Sequence, residues 1–123
     1  MNAYHLKFGL TFLGVLFGFA LLSALALPGT ARADEDALAL AKKSGCLACH
    51  SVEKKVVGPA WKDVSARYKD DAGARERLVE KVKTGGKGNW TEVTGGVPMP
   101  PYSPRVADAD IEKLVDFVLS LAK

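Results

Sequence analysis

Cys46-Leu47-Ala48-Cys49-His50 decides how this chain folds, because two thiols three positions apart, followed at once by an imidazole, form a c-type haem attachment site. Each thiol can add across one vinyl group of the macrocycle, and the short spacing brings His50 beneath the iron as the proximal ligand. A redox Cys-x-x-Cys pair uses neither the histidine nor a methionine downstream. The chain has only two cysteines, so four-thiolate zinc or iron–sulfur ligation fails on count, and a Cys2His site needs a further ligand from elsewhere. The expected cofactor is one haem c, covalent through Cys46 and Cys49.

Upstream, His5 and Lys7 give a weakly basic start, and Phe8 to Leu27 run twenty residues without a charge. Ala31-Arg32-Ala33 then supplies the small-x-small pattern of a signal peptidase site, so residues 1–33 read as a signal peptide cleaved before Asp34. Pro28 and Gly29 end the apolar run and leave the site extended. Export suits haem attachment, which bacteria complete outside the cytoplasm, and places the protein in the periplasm. The competing reading is a retained anchor, since twenty apolar residues span about 30 Å at helical rise, enough to cross a bilayer.

Residues 34–123 form one domain of 90 residues. So short a chain has a marginal core, and a buried porphyrin becomes its largest single piece; without it the apoprotein should fold poorly. Two of the basic residues, Lys7 and Arg32, belong to the leader, which leaves 15 Lys and Arg against 14 Asp and Glu. The formal charge of +3 is therefore no sign of nucleic-acid binding.

The pattern predicts an all-α fold of about four helices around the haem. Asp34 is placed to cap a first helix from about Glu35 to Ala48, with Leu38, Ala41 and Lys42 at helical spacing and Ala39 and Gly45 allowing close approach. After Gly58-Pro59, a short helix starting at Pro59 carries Trp61, Val64 and Tyr68. A third, about Ala72 to Lys83, presents Ala74, Leu78, Val79 and Val82 and stops at Gly85-Gly86. The last, capped by Asp108 and running to Leu121, places Ile111, Leu114, Val115 and Val118 on one face, widened by Phe117 and Leu121. Trp61 and Tyr68 read first as core residues, although either can line the haem.

Between Gly85 and Asp108 the sequence specifies a ligand more than regular structure. Pro98-Met99-Pro100-Pro101 holds a thioether in a stiff run that cannot be helical. A lone methionine is usually core filler, but flanking prolines are a costly way to place filler and a good way to fix one sulfur. Met99 is the only methionine beyond the leader, and His50 the only histidine. Together they fill both axial positions, and thioether ligation raises the potential relative to a bis-histidine pair.

Gly45 to His50, Val57-Gly58-Pro59-Ala60 with Lys62-Asp63-Val64, Lys83 to Trp90 and Val97 to Pro101 together resemble the small bacterial class I cytochromes c of the c-551 type, across essentially all of residues 34–123. The resemblance implies that the proximal histidine donates its free ring N–H to the Pro59 carbonyl, and that Trp90 donates its indole N–H to a haem propionate. It also implies a soluble, monomeric electron carrier that exchanges electrons with transient partners: a terminal reductase or oxidase, and upstream a quinol-oxidising complex or another cytochrome. The chain departs from that pattern at two places. Val93-Thr94-Gly95-Gly96 lengthens the link from Trp90 to Met99, and Tyr102 stands where the family often has an asparagine that donates to the methionine sulfur.

With both axial positions filled the residues themselves point to Fe(III)/Fe(II) exchange and not to enzymatic turnover. Two alternatives belong beside that reading: a haem protein binding peroxide or a gas through a labile Met99, and a haem subunit tethered to a membrane complex by an uncleaved Phe8 to Leu27. Lys42, Lys43, Lys54, Lys55 and Lys87 are either solvated surface or a ring that steers an acidic partner; the other option is an apolar contact through Leu47, Val57 and Pro100. The exported protein should have the intact mass of a chain beginning at Asp34 plus one haem. A mass equal to bare polypeptide contradicts attachment, and a mass that includes residues 1–33 contradicts cleavage.

Overall fold

The computed structural model describes residues 29–122, so the apolar run from Phe8 to Leu27 lies outside the described residues. Five helices follow one another: α1 (Gly29–Lys43), α2 (Trp61–Tyr68), α3 (Ala74–Thr84), α4 (Thr91–Thr94) and α5 (Asp108–Ser120). Among the described residues no helix is long and apolar enough to cross a membrane. The only pairing of extended backbone among them is an isolated antiparallel bridge between Gly86 and Met99, so the fold is all-α, as the sequence pattern predicts.

Helix α5 is the element against which the others pack. Its Ile111, Leu114, Val115 and Phe117 are buried, Ile111 completely, and α1, α2 and α3 all contact it. Those positions recur at three- and four-residue intervals, which puts them on one face of a 3.6-residue helix. From α1 the fully buried residue is Ala41, whose small side chain permits close approach; Ala39, expected in that role, is exposed. From α2, Trp61 meets Phe117 edge to face, with ring centroids 6.0 Å apart at 90°, the arrangement favoured by the ring quadrupoles. Ser65 is a polar residue in this core, and it is satisfied there: its hydroxyl donates to the Leu119 carbonyl at 2.8 Å and accepts from the Ala122 amide at 2.7 Å.

The helix ends differ from expectation in informative ways. Helix α1 is already formed at Gly29, the first described residue, and runs through Asp34, so Asp34 is not its cap and residues 31–33, expected to be extended, are helical. The helix stops at Lys43, and the haem motif lies in a separate 3₁₀ turn, Cys46–Ala48, entered through Gly45 at φ 80°. That left-handed conformation is open to glycine and breaks helical continuation. Helix α2 starts at Trp61 with Ala60 as N-cap, two residues beyond Pro59, and α5 has Ala107 at its N-cap. Asp108 is instead the first helical residue, paired with Lys83 at 2.8 Å, where a carboxylate also complements the positive end of the helix.

The surface links between α3 and α5 centre on Arg75, which reaches Asp116 at 2.6 Å and Glu112 at 3.2 Å. Exposed pairs of this kind contribute little beside apolar burial. In the haem-loaded protein Ile111→Ala should lower the denaturant-derived stability by about 2–5 kcal/mol, whereas Arg75→Ala should cost no more than about 1 kcal/mol. Equal losses would contradict a fold held by the apolar face of α5.

Candidate haem site

The 3₁₀ turn carrying the two cysteines is closed by backbone bonds from the amides of Cys49 and His50 to the Cys46 carbonyl, at 3.2 and 3.0 Å. The following loop folds back on it, with the amides of Val57 and Gly58 both donating to the Cys49 carbonyl at 3.2 and 2.8 Å. This return brings Pro59 under the imidazole. His50 Nδ1 lies 2.9 Å from the Pro59 carbonyl oxygen. A carbonyl can only accept, so Nδ1 carries the proton and Nε2 keeps a lone pair for a metal.

The ring is held on its faces as well as at its edge. It stacks near Trp61, with centroids 6.0 Å apart and planes 25° from parallel. It also lies so close to Gly58 that a Cβ there would fall 2.8 Å from both ring nitrogens. Gly58 is thus required by space and not by backbone conformation.

A second stretch of the cavity wall is the loop that carries Met99. The Gly86 amide donates to the Met99 carbonyl at 2.8 Å and the Met99 amide to the Gly86 carbonyl at 3.1 Å. The Tyr102 amide then donates to the Val82 carbonyl at 3.1 Å, which ties the loop to the end of α3. Gly85, at φ 72°, sits against this segment so tightly that a Cβ would lie 2.7 Å from the Pro101 nitrogen; only glycine serves there.

Both segments border a cavity of about 550 Å³. Cys46, Cys49, His50, Pro59, Trp90 and Met99, the six residues singled out in the sequence, all line it. So do the apolar Val64, Leu78, Val82, Leu114, Val115 and Val118 from α2, α3 and α5. Trp61 and Tyr68 line it too, which joins their core role to a site role.

Lys87, read from the sequence as surface or steering charge, lines the cavity together with Arg77 and Lys81, which sequence reasoning missed; Asp71, paired with Arg77, lines it too, and Lys81 donates to the Gly85 carbonyl at 3.1 Å. The signal for Arg77 and Lys81 was present, since Lys81 lies four residues from the cavity-lining Arg77, one helical turn along α3. Near the cysteines, Tyr102 is buried beneath the Arg105 guanidinium, which lies 4.3 Å from its ring centroid. Burial pushes the Tyr102 phenol above its ordinary range, helped by the two cysteine sulfurs and opposed by Arg105. Burial likewise raises the Cys46 thiol, against its backbone hydrogen bond and Arg105.

These residues fit a haem. Both cysteines are free thiols facing the cavity, one imidazole presents an unprotonated nitrogen, and apolar side chains cover the faces while cations occupy part of the wall, as an amphipathic macrocycle with carboxylates demands. Among the described residues no group of three or more His, Cys, Asp or Glu comes together.

A helical frame around a Cys-x-x-Cys-His cavity defines the class I c-type cytochromes, with one haem c attached through the cysteine pair. The family model described as Cytochrome c matches residues 35–122, and the chain belongs to that family. It is 52% identical over 99 residues to cytochrome c-551 of Allochromatium vinosum, covering 80% of this chain and 97% of that one. It is 50% identical over 99 residues to cytochrome c-552 of Nitrosomonas europaea, covering 80% and 88%. The crystal structure of wild-type Nitrosomonas europaea cytochrome c552 superposes with a TM-score of 0.61 at 49% identity, over 68% of this chain and 98% of that one. The class is one of electron carriers, not enzymes.

The packing of the proximal ring gives a direct check. Gly58→Ala should displace the imidazole and weaken the Nδ1 to Pro59 hydrogen bond, seen by NMR of the haem-loaded protein as faster exchange of the His50 ring N–H. An unaltered ring signal would contradict the close approach.

Proposed function

We propose that this protein is a periplasmic electron carrier in which His50 and Met99 are the axial ligands. The observation that carries this reading is that an oriented imidazole and a proline-flanked thioether line one cavity. When bound, the haem supplies a one-electron Fe(III)/Fe(II) couple. Cys46 and Cys49 hold it covalently, and the Pro59 carbonyl keeps the His50 Nε2 lone pair aimed inward. Met99, anchored at Gly86, would offer its thioether to the iron and so deny that position to oxygen or a substrate. Buried Leu114 and Val115 exclude water, and little has to reorganise when charge changes.

Trp90 and the cations of the neighbouring wall receive the propionates, with the indole N–H donating to one of them. Residues 1–33 direct export and are removed before Asp34, which leaves a monomer of residues 34–123.

The partners dock at the apolar edge. Among the described residues the exposed large hydrophobic side chains are Leu47, Val56, Val57 and Val97, at 37%, 49%, 39% and 50% exposure. Val57 and Val97 also line the cavity, so the exposed apolar patch is continuous with the wall that would hold the prosthetic group. Lys54 and Lys55 adjoin Val56, and they orient an acidic reductase, oxidase or upstream donor during the encounter.

Met99→Ala should lower the reduction potential, abolish the weak near-infrared band of sulfur-ligated ferric haem, and let cyanide bind at least tenfold faster. A variant that kept the parental band and potential would assign the sixth position to another group.

A further inference from the structure

Arg67 leaves the last turn of α2 and lies over Trp90, its guanidinium carbon 4.5 Å from the ring centroid. Its Nη1 donates to the carbonyl of the preceding Asn89 at 3.1 Å. One side chain therefore grips the indole face and the adjoining backbone together. A planar, forked cation makes both contacts at once, and an ammonium does not.

The segment needs such a grip. From Gly85 to Gly96 it contains five glycines at positive φ, at 85, 86, 88, 95 and 96, and glycine-rich backbone loses the most freedom on being fixed. Its one helical element, α4, is a single turn with no buried residue. The bridge to Met99 holds the start of the segment at Gly86, but Trp90 lies four residues further along.

We propose that Arg67 is the positioning residue for Trp90, fixing the indole in the cavity wall so that its N–H is presented to a haem propionate. The proposal rests on the propionate role given to Trp90 above. Arg67 is itself exposed and borders the outer side of the ring, so it acts through the indole and does not line the haem cavity. An N–H that donates to an ionised carboxylate stabilises the charged form and lowers its pKa. Loss of the grip therefore raises the propionate pKa, and the pH-dependent step in the reduction potential moves upward.

The test uses the haem-loaded protein and the variants Arg67→Met, Arg67→Lys, Trp90→Phe and Arg67→Met with Trp90→Phe. Arg67→Met should speed hydrogen exchange at the Trp90 indole N–H at least fivefold and leave that of Trp61 unchanged. It should move the step in potential to higher pH, and Arg67→Lys, which keeps the charge but loses the fork, should retain at least half of that shift. In the Trp90→Phe background Arg67→Met should add no further shift. Unchanged indole exchange in Arg67→Met, full recovery by Lys, or a full additional shift in the Trp90→Phe background would each overturn the proposal. If Trp90→Phe alone leaves the pH profile unchanged, the propionate role of Trp90 fails, and the indole exchange rate still decides whether Arg67 positions the ring.

Discussion

Helix α5 turns Ile111, Leu114, Val115 and Phe117 into a core shared with α1, α2 and α3, and both walls of the haem cavity hang from that frame. The dependence is physical. Neither the 3₁₀ turn with its cysteines nor the proline-rich loop with Met99 contains enough apolar surface to fold alone, and each is tied back to a helix by a few backbone bonds. Apolar side chains of α2, α3 and α5 line the cavity of about 550 Å³, so a macrocycle held there would be packed by the same residues that form the core. The prosthetic group is thereby structural and functional through the same contacts.

The two segments proposed to supply the ligands are held by different means. On the proximal side, a hydrogen bond from Nδ1 to Pro59, a stack on Trp61 and the absence of a Cβ at Gly58 fix one ring in orientation, tautomer and depth. On the distal side, prolines remove backbone freedom from Met99 before folding, and a two-way amide bridge to Gly86 sets its height. Such rigidity is what the proposed pair of ligands requires, because an electron carrier works best when both oxidation states share nearly one geometry. Trp61 connects this rigidity to the frame, since it touches His50 on one side and Phe117 on the other.

The legible parts of the sequence were those set by local chemistry. Cys46, Cys49 and His50 declare themselves by spacing, Met99 by its prolines, and the buried face of α5 by its period, and the structure gathers the first four around one cavity. The illegible parts depended on tertiary geometry. Helical periodicity runs past Lys43 without a break, so only the left-handed Gly45 reveals that the haem motif is a separate turn. Alanine caps at Ala60 and Ala107 give no side-chain signal, and α4 is too short to show a period. The contact between Arg67 and Trp90 joins residues on separate elements, and the basic patch at Arg77, Lys81 and Lys87 acquires meaning only when α3 is seen to border the cavity.

The central claim is that Met99 sulfur and His50 nitrogen occupy the two axial positions of one covalently held haem. The proton NMR spectrum of the reduced holoprotein tests it most directly, because a methionine methyl group above a haem face is displaced far upfield by the ring current. The account predicts one three-proton signal, well upfield of all ordinary protein resonances, that disappears when Met99 is replaced. A reduced spectrum without that signal, or one that keeps it after the replacement, would contradict the account.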